Sequence, residues 1–336
     1  MMFDGKKILI TGGTGSLGKA LTKKILESNV DTIRIFSRDE WKQTQMHNEL
    51  KDDSRVRFLI GDVRDKERLI HALEDIDLVF HVAALKQVPV AEYNPFEAVK
   101  TNVYGTQNLI ESCLEQDVET AIAIGTDKAV APLNTYGATK MLMERLFVSS
   151  NYYKGKHKTK FICARYGNVL GSRGSIVPIF LEQIRTRNKI TITDPEMTRF
   201  NITMREALDS IMRALEKGKG GEVFIPKLKA YRTGDMRDAI LETINVNCEE
   251  ERIPIRPGEK FHESLISKDE IRHVYESEND YIILQPQTLN YEVGDIKGFK
   301  KAELKDRYSS DTVPLLTKDE IKEILTKEEL IKNFIS

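Results

Sequence analysis

The sequence predicts an α/β fold, in which a doubly wound parallel sheet carries a smaller, interleaved C-terminal lobe. Short β-rich runs alternate with amphipathic helical segments through the first half of the 336 residues, which is the pattern of successive βαβ units. After about Gly171 the alternation loosens and prolines interrupt the chain more often, which indicates the separate lobe.

Each strand is predicted from a short apolar run bounded by turn residues. Six runs form the parallel strands: Lys7–Thr11, Thr32–Ser37, Val56–Gly61, Leu78–Val82, Thr120–Gly125 and Phe161–Tyr166. A later run, Glu222–Pro226, is expected to add an edge strand. Helices are expected at Leu17–Ser28, Glu67–Leu73, Asn102–Glu115, Tyr136–Ser150, Arg205–Glu216, Thr233–Thr243 and Lys318–Leu325.

A glycine-rich loop follows the first strand and opens the first helix. Gly12, Gly15 and Gly18 allow a tight turn, a close backbone approach to a pyrophosphate and close helix packing. The helix N-terminus then offers free N–H groups to the phosphates. The loop therefore predicts a Rossmann-type dinucleotide site, whose candidate contacts are Gly12, Thr14, Gly15, Ser16, Leu17 and Gly18.

We therefore expect two domains. Residues 1–170 form the dinucleotide-binding domain, to which 204–230 return, and residues 171–203 and 231–336 form the substrate-binding lobe.

The end of the second strand favours NADP over NAD. An acidic residue at this place holds a ribose hydroxyl, whereas an arginine accommodates a 2′-phosphate. Ser37 and Arg38 occupy the strand end and Lys42 follows one helical turn later. NAD stays an alternative because the carboxylate of Asp39 could turn inward towards the ribose.

Two further strand ends supply candidate cofactor contacts. Asp62 could accept from the adenine amino group while Val63 packs on the ring, or Asp62 could cap the next helix. After the fourth strand, the small Ala83 and Ala84 would let the backbone approach the cofactor, and Lys86 could reach a phosphate or the sugar.

The fifth strand leads into the most informative segments, Gly125–Ala129 and Asn134–Lys140. Tyr136 and Lys140 share a helical face, and a neighbouring ammonium favours the phenolate, so that Tyr136 becomes a base near neutral pH. Hydride transfer needs only this pair, whereas water elimination needs a further acid and base. Asp127 and Lys128 could supply them, although an exposed strand-end ion pair is the alternative.

Composition excludes several other classes. Lys and Arg number 51 against 52 Asp and Glu, so the chain has no basic field for nucleic acid. The three cysteines form no CxxC pair, which argues against disulfides or a metal site. No apolar run approaches the ~20 residues of a membrane helix, so we expect a cytoplasmic, soluble protein without membrane partners.

The assembled motifs resemble the extended short-chain dehydrogenase/reductase superfamily, and more narrowly the inverting UDP-N-acetylglucosamine 4,6-dehydratases of the pseudaminic acid pathway. The matching segments are Thr11–Gly18, Ser37–Glu40, Gly61–Asp65, Ala83–Lys86, Val88-Pro89, Ala91–Pro95, Lys100–Asn102, Thr126–Ala129, Tyr136–Lys140, Arg165–Val169, Gly171–Ser175, Thr193–Pro195, Met197–Phe200 and Ile255–Lys260. The chain departs from that pattern at Gln87, where histidine is common, and at Gly125, where serine is common.

The resemblance implies an internal redox cycle on recycled NADP. Tyr136, assisted by Lys140 and Thr126, would take the proton of the sugar 4-hydroxyl as hydride leaves C4. Lys128 would remove the C5 proton and Asp127 would protonate the departing 6-hydroxyl. Return of the C5 proton on the opposite face would give UDP-2-acetamido-2,6-dideoxy-β-L-arabino-hex-4-ulose.

The resemblance also implies the remaining contacts and the assembly. The substrate would contact Lys86, Gln87, Asn168, Val177, Arg199, Arg256 and Glu259, and Val169 would contact the cofactor. The partner molecules would be a UDP-sugar and further copies of the chain, as a homo-oligomer (dimer or hexamer).

Three other functions stay open. A UDP-hexose 4-epimerase would use Tyr136 and Lys140 without elimination, and C5-retaining or capsule-type dehydratases share much of the pattern. An NADP-sensing protein would need only the glycine loop.

Overall fold

A computed structural model describes residues 2–284 and 298–335 of the chain. In these residues the strands are β1 Lys7–Thr11, β2 Thr32–Ser37, β3 Val56–Ile60, β4 Leu78–His81, β5 Thr120–Ile124, β6 Lys160–Ala164, β7 Lys189–Ile192, β8 Thr198–Phe200, β9 Glu222–Pro226, β10 Ala230–Arg232, β11 Glu249–Arg252, β12 Ser264–Ile266, β13 Val274–Glu276, β14 Asp280–Leu284, β15 Lys300–Lys301 and β16 Tyr308–Ser309.

Helices separate most of these strands. In the described residues they are α1 Ser16–Leu26, α2 Glu40–Glu49, α3 Lys66–Leu73, α4 Val88–Tyr93, α5 Pro95–Val99, α6 Gly105–Glu115, α7 Thr135–Tyr153, α8 Ile176–Arg187, α9 Met204–Lys217, α10 Thr233–Ile244, α11 Lys318–Lys327 and α12 Lys332–Ile335. A π-helical turn, Lys100–Tyr104, joins α5 to α6, and 3₁₀ turns lie at Asp127–Ala129 and Ile271–His273.

One large mixed sheet forms the centre of the described structure. Its strands lie in the order β15-β13-β14-β9-β6-β5-β4-β1-β2-β3. The seven from β9 to β3 run parallel to one another. The chain order reverses between β1 and β4, and ligands of open α/β sheets bind beyond the strand ends at such a switch point.

Helices cover both faces of the sheet, as the predicted doubly wound fold requires. On one face α3, α6 and α7 supply Leu69, Leu109 and Phe147 to a core that includes Leu9 of β1. On the other face α1 and α9 supply Leu21 and Ile211, packed with Ile8 and Ile10 of β1. Successive β1 residues therefore enter opposite cores, which explains its continuous apolar run.

Two predictions about the second half of the chain are wrong. Glu222–Pro226 is not an edge strand, because β9 pairs with β6 on one side and with antiparallel β14 on the other. The strands β13, β14 and β15 extend the sheet, although residues 231–336 were all expected in the lobe. The apolar part of β14 is only a few residues long, too short a pattern to separate a strand from a loop.

The lobe has its own small core. The elements β7 and β11 form a parallel pair and β8 and β10 an antiparallel pair. The helices α8, α10 and α11 contribute Phe180, Ile240 and Leu325 to one cluster of buried side chains.

Across residues 2–284 and 298–335, none of the helices combines the length and apolar character that a membrane crossing requires.

Candidate active site

The glycine loop lies so close to the segment after β4 that its first glycine has no room for a side chain. Gly12 has a φ of +65°, and a Cβ there would lie 2.8 Å from the backbone of Ala83. Gly15 is the N-cap of α1 and makes no side-chain capping bond, so the helix N-terminus faces the cleft uncapped. A cradle of this kind fits the pyrophosphate of a dinucleotide.

The predicted loop residues border one cleft of about 570 Å³. Five of the six lie along it, namely Gly12, Thr14, Gly15, Ser16 and Leu17. Gly18 lies behind the loop, where a Cβ would meet the oxygen of Gly13 at 2.4 Å. Gly18 therefore acts through close packing rather than through ligand contact.

A second cavity of about 480 Å³ adjoins the cleft at the ends of β2 and β3. Its lining includes Ser37, Arg38, Lys42, Asp62 and Val63, all predicted cofactor contacts. Arg38 Nη1 lies 3.7 Å from Asp62 Oδ2 at this cavity, and the Arg38 side chain is 60% exposed.

Neither aspartate of this cavity presents a free carboxylate. The Asp39 side chain accepts a 3.0 Å bond from the Lys42 backbone N–H and caps α2. Asp62 accepts bonds of 2.9 and 2.6 Å from the Arg64 guanidinium. The capping alternative for Asp62 is wrong, because Asp65 caps α3.

Asn102 fixes the loop after β4 against α7, a role the sequence did not indicate. Its amide donates to Leu85 O at 2.9 Å and to Thr139 Oγ1 at 3.0 Å, and its Oδ1 accepts from Leu85 N at 2.8 Å. Asn102 lies in the π-helical turn, a feature frequent at functional sites. Ala83, Ala84 and Lys86 are thereby held along the cleft.

Tyr136 and Lys140 face the cleft from the first turns of α7. Asn134 caps this helix by accepting a 2.8 Å bond from Gly137 N. Lys140 donates to Ile124 O at the end of β5, and burial lowers the pKa of Lys140 to about 8. The helix therefore carries both side chains to the edge of the sheet where β5 ends.

The electrostatics of Tyr136 differ from the expectation. Burial raises the pKa of Tyr136 to about 12, although Lys128 and a hydrogen bond with Thr126 act against that rise. The nearby cation that opposes the rise is Lys128 rather than the expected Lys140. The expected phenolate near neutral pH is therefore wrong for the cleft as it stands.

Thr126, Asp127 and Lys128 form a buried group directly after β5. Thr126 donates a 2.9 Å bond to Asp127 Oδ1, and Lys128 Nζ donates to the same oxygen at 3.1 Å and to Asn168 Oδ1 at 3.4 Å. The side chains of Asp127 and Lys128 are 2% and 17% exposed, so the alternative of an exposed ion pair is wrong.

Glu263 completes this group and was not predicted. Its Oε1 lies 3.3 Å from Lys128 Nζ. Burial lowers the pKa of Lys128, but Asp127 and Glu263 raise the pKa by more, so that Lys128 is held as an ammonium. Glu263 lies far along the chain in a short segment without periodicity, so no local signal could have found it.

The loop before Glu263 forms the lobe side of the site. Gly258 O accepts a 2.8 Å bond from Asn134 Nδ2, which docks the loop on the start of α7. Glu259 Oε1 lies 3.2 Å from Arg199 Nη2. The Arg256 side chain is exposed and makes no ion pair with any described residue.

The other predicted contacts are divided between cleft and core. Lys86, Asn168 and Val169 line the cleft, and Gln87 is an exposed residue at the start of α4. Val177 has no exposed surface, lies in the lobe core and does not line the cleft.

Arg173 lines the cleft but was not predicted as a contact. Its backbone N–H donates a 3.3 Å bond to Ser16 Oγ, which brings the lobe onto the glycine loop.

Within the described residues, no three His, Cys, Asp or Glu side chains are grouped to hold a metal ion.

A family model described as "Polysaccharide biosynthesis protein" matches residues 8–285. The chain belongs to this family. It is 46% identical over 322 residues to the inverting UDP-N-acetylglucosamine 4,6-dehydratase of Campylobacter jejuni serotype O:23/36, covering 93% of this chain and 95% of that protein. It is 38% identical to the UDP-glucose 4-epimerase of Rickettsia bellii, covering 98% of both chains.

A solved structure shares the whole architecture. The X-ray structure of Pen from Bacillus thuringiensis matches with a TM-score of 0.92 and 39% identity, over 98% of this chain and 100% of that one. The predicted family and the predicted Rossmann-type fold class are confirmed.

Proposed function

We propose that the protein is a UDP-N-acetylglucosamine 4,6-dehydratase that inverts C5 and gives UDP-2-acetamido-2,6-dideoxy-β-L-arabino-hex-4-ulose. One observation carries the proposal. Thr126 and Tyr136 line the cleft beside the dinucleotide cradle, and Thr126 bonds Asp127, which in turn contacts Lys128. One site therefore brings together a base for alcohol oxidation and an acid and a base for elimination, close enough for Lys128 and Asp127 to influence the pKa of Tyr136. The relative from Campylobacter, whose name states this activity, supports it.

NADP is the cofactor that we propose. When bound, it would supply the acceptor for the C4 hydride and the donor for the hydride that reaches C6. Arg38 and Lys42 border the ribose end of the adjoining cavity, where a 2′-phosphate would pair with a guanidinium. Asp39 is already engaged in capping α2, which weakens the case for NAD.

Tyr136 takes the proton of the C4 hydroxyl. Its raised pKa means that the phenol needs added positive charge to ionise, and Lys128 and the hydrogen bond with Thr126 already act in that direction. Lys140 lies one turn away on the same helix and supplies further positive charge when protonated.

Lys128 and Asp127 carry out the elimination. The 4-keto group acidifies the C5 proton, which the Lys128 amine takes, and Asp127 gives a proton to the departing C6 hydroxyl. Lys128 must first release the proton of its ammonium form, so its raised pKa predicts slower dehydration as pH falls. Return of a proton to the opposite face of C5 inverts that centre.

The substrate lies between the cleft and the lobe. Arg256, with its side chain unpaired among the described residues, binds the diphosphate, for which a guanidinium suits bidentate pairing. Lys86 and Asn168, which line the cleft, contact the sugar side, together with Gln87 at the start of α4. Arg199 and Glu259 hold the loop that carries Arg256.

The active form that we propose is a homo-oligomer. Three aromatic side chains on α4, α5 and the π-helical turn are largely exposed, Tyr93 at 89%, Phe96 at 59% and Tyr104 at 56%. Contact between copies would cover this surface.

The UDP-hexose 4-epimerase remains the second candidate, and the relative from Rickettsia bellii supports it. Mass spectrometry of the reaction with UDP-N-acetylglucosamine separates the two. A dehydratase gives a nucleotide sugar lighter by one water, whereas an epimerase gives a product of unchanged mass. A product of unchanged mass alone would contradict the proposal.

A further inference from the structure

Glu263 lies in the active site, yet the mechanism above gives it no task. Its side chain is 4% exposed and its Oε1 contacts Lys128 Nζ at 3.3 Å. The other oxygen, Oε2, is buried and accepts no hydrogen bond within residues 2–284 and 298–335. Buried polar atoms are normally bonded, so this carboxylate is not held there by a full set of hydrogen bonds.

The backbone of Glu263 is firmly placed. Glu263 N donates to Ser310 Oγ at 3.0 Å, and Ser310 N donates back to Glu263 O at 2.8 Å. Ser309 Oγ donates to the same carbonyl at 3.0 Å. Three bonds from one distant segment therefore fix the Glu263 backbone, from which the carboxylate reaches Lys128.

Two other carboxylates, those of Glu144 and Glu270, show the hydrogen bonds that a structural carboxylate makes in this chain. Arg165 donates bonds of 3.0 and 2.6 Å to Glu144 and of 3.2 and 2.9 Å to Glu270. Those carboxylates are engaged by a guanidinium fork, whereas Glu263 has a single ammonium contact and an unbonded oxygen.

The charge on Lys128 creates a conflict that Glu263 can resolve. Asp127 needs a proton to protonate the departing hydroxyl, but Lys128 Nζ lies 3.1 Å away, and an adjacent ammonium favours the carboxylate form. Lys128 becomes an ammonium when it takes the C5 proton, just before Asp127 must act. A second carboxylate next to Lys128 balances this charge.

We propose that Glu263 is a positioning residue for the elimination step, which balances the charge of Lys128 and so allows Asp127 to keep its proton for the C6 hydroxyl. The proposal rests on the dehydratase function above. In this step the C5–H bond breaks and an N–H bond forms at Lys128. The C5 electron pair then forms the C5–C6 double bond as the C6–O bond breaks, and the Asp127 proton leaves with the oxygen as water.

The test is Glu263→Gln, which keeps the shape and removes the charge. We expect kcat for the dehydrated product to fall by about 100-fold with little change in KM, because Asp127 then no longer contributes its proton to the departing C6 hydroxyl. Oxidation at C4 should continue, so the absorbance of reduced cofactor should build up after substrate is added. In D₂O, recovered substrate should carry deuterium at C5, since Lys128 still exchanges that proton.

Two matched variants accompany it. Glu263→Asp restores a carboxylate and should recover part of the rate. Glu222→Gln changes another buried glutamate, which accepts bonds from Lys219 N and Gly220 N at 2.9 and 2.8 Å, and should leave the reaction unchanged. Unfolding midpoints of all three variants report any general loss of stability.

Two results would overturn the inference. One is a Glu263→Gln variant that dehydrates at the wild-type rate. The other is joint loss of C4 oxidation, C5 exchange and elimination, which would make Glu263 a structural residue. Absence of any dehydrated product from the wild type would instead overturn the proposed function.

Discussion

At the scale of single residues, burial acts in opposite directions on the two side chains that α7 presents to the cleft. It raises the pKa of Tyr136 to about 12 and lowers the pKa of Lys140 to about 8. Near neutral pH the phenol therefore keeps its proton, and oxidation at C4 depends on positive charge brought next to it.

Asp127→Asn should separate the two halves of the reaction. Asparagine keeps the shape but has no proton to give, so dehydration should fall by about 100-fold or more while C4 oxidation persists. Accumulation of reduced-cofactor absorbance, together with loss of the dehydrated product, checks this. Asp117→Asn, at an exposed turn with a φ of +48°, is the control and should keep full activity. If the Asp127→Asn variant dehydrates at the wild-type rate, Asp127 is not the acid that protonates the C6 hydroxyl.

Arg38→Ala should weaken NADP binding selectively. A charged hydrogen bond contributes about 1.5–3 kcal/mol, so the Kd for NADP should rise by about tenfold or more while the Kd for NAD changes little. Titration of cofactor-free protein by calorimetry measures both values. Arg57→Ala, on the exposed side of β3, serves as the control. Equal weakening of both cofactors would contradict the assignment of a 2′-phosphate site.

The departure at Gly125 has a local explanation. A Cβ at this position would lie 2.3 Å from Glu144 Oε1, which bonds Arg165. The chain therefore uses glycine where its resemblance suggested serine, because a buried carboxylate occupies the space.

At the scale of elements, the glycine loop acts by close approach to β4. Gly12→Ala should abolish cofactor retention, because its Cβ would lie 2.8 Å from Ala83 backbone at a φ of +65°. The cofactor content of the purified protein, released by denaturation, is the measurement. Gly5→Ala shares a positive φ of +69° but has no atom within 4 Å, so it separates backbone strain from the clash. Cofactor loss in both variants would point to strain alone.

His81 joins three elements and should make the fold sensitive to acid. Its ring nitrogens lie 2.9 Å from Thr11 Oγ1 and 3.1 Å from Thr106 Oγ1, which connects β4 to β1 and α6. Burial, aided by Lys140, lowers the pKa of His81 from 6.5 to about 3. The unfolded chain therefore binds a proton that the folded chain excludes between these pH values.

The expected result is a loss of stability below pH about 6.5, by ~1.4 kcal/mol for each further pH unit. Urea unfolding of wild type and His81→Gln at several pH values between about 7.5 and 5 tests this. The wild type should lose stability more steeply than the variant as pH falls, since the carboxylates contribute equally to the pH dependence of both proteins. Parallel pH dependences would contradict a neutral, buried His81.

The elements also divide into those that the sequence could predict and those that it could not. The six parallel strands β1 to β6 and the glycine loop depend on local runs and spacing, and they were predicted correctly. The antiparallel addition of β14 to β9 depends on pairing between distant segments, which periodicity does not encode. Similarly, Asp127, Lys128 and Tyr136 lie close in sequence, whereas Asn102 and Glu263 reach the site only through the fold.

At the scale of the whole molecule, segments after residue 260 return to the sheet domain. Arg165, next to the end of β6, bonds Glu144 of α7, Glu270 and the Leu265 carbonyl, and its side chain is 6% exposed. This network connects the sheet to the chain segment that carries Glu263. The active site and the C-terminal segments are therefore parts of one packed unit.

Arg165→Met should lower the free energy of unfolding by about 3–5 kcal/mol, because it leaves two buried carboxylates without their cation. Denaturant unfolding checks the value. Arg185→Met removes an arginine that is 70% exposed in an ion pair with Glu182 and should change stability by less than about 1 kcal/mol. A small effect at Arg165 would mean that the carboxylates find other partners.

The central claim is that one cleft oxidises C4, eliminates water and returns hydride to C6. Proton NMR of the purified protein with UDP-N-acetylglucosamine in D₂O, without added NADP, tests it most directly. The account predicts a new C6 methyl signal, deuterium at C5 and couplings of an inverted C5. Signals of UDP-N-acetylgalactosamine without any methyl signal would contradict it and establish an epimerase instead.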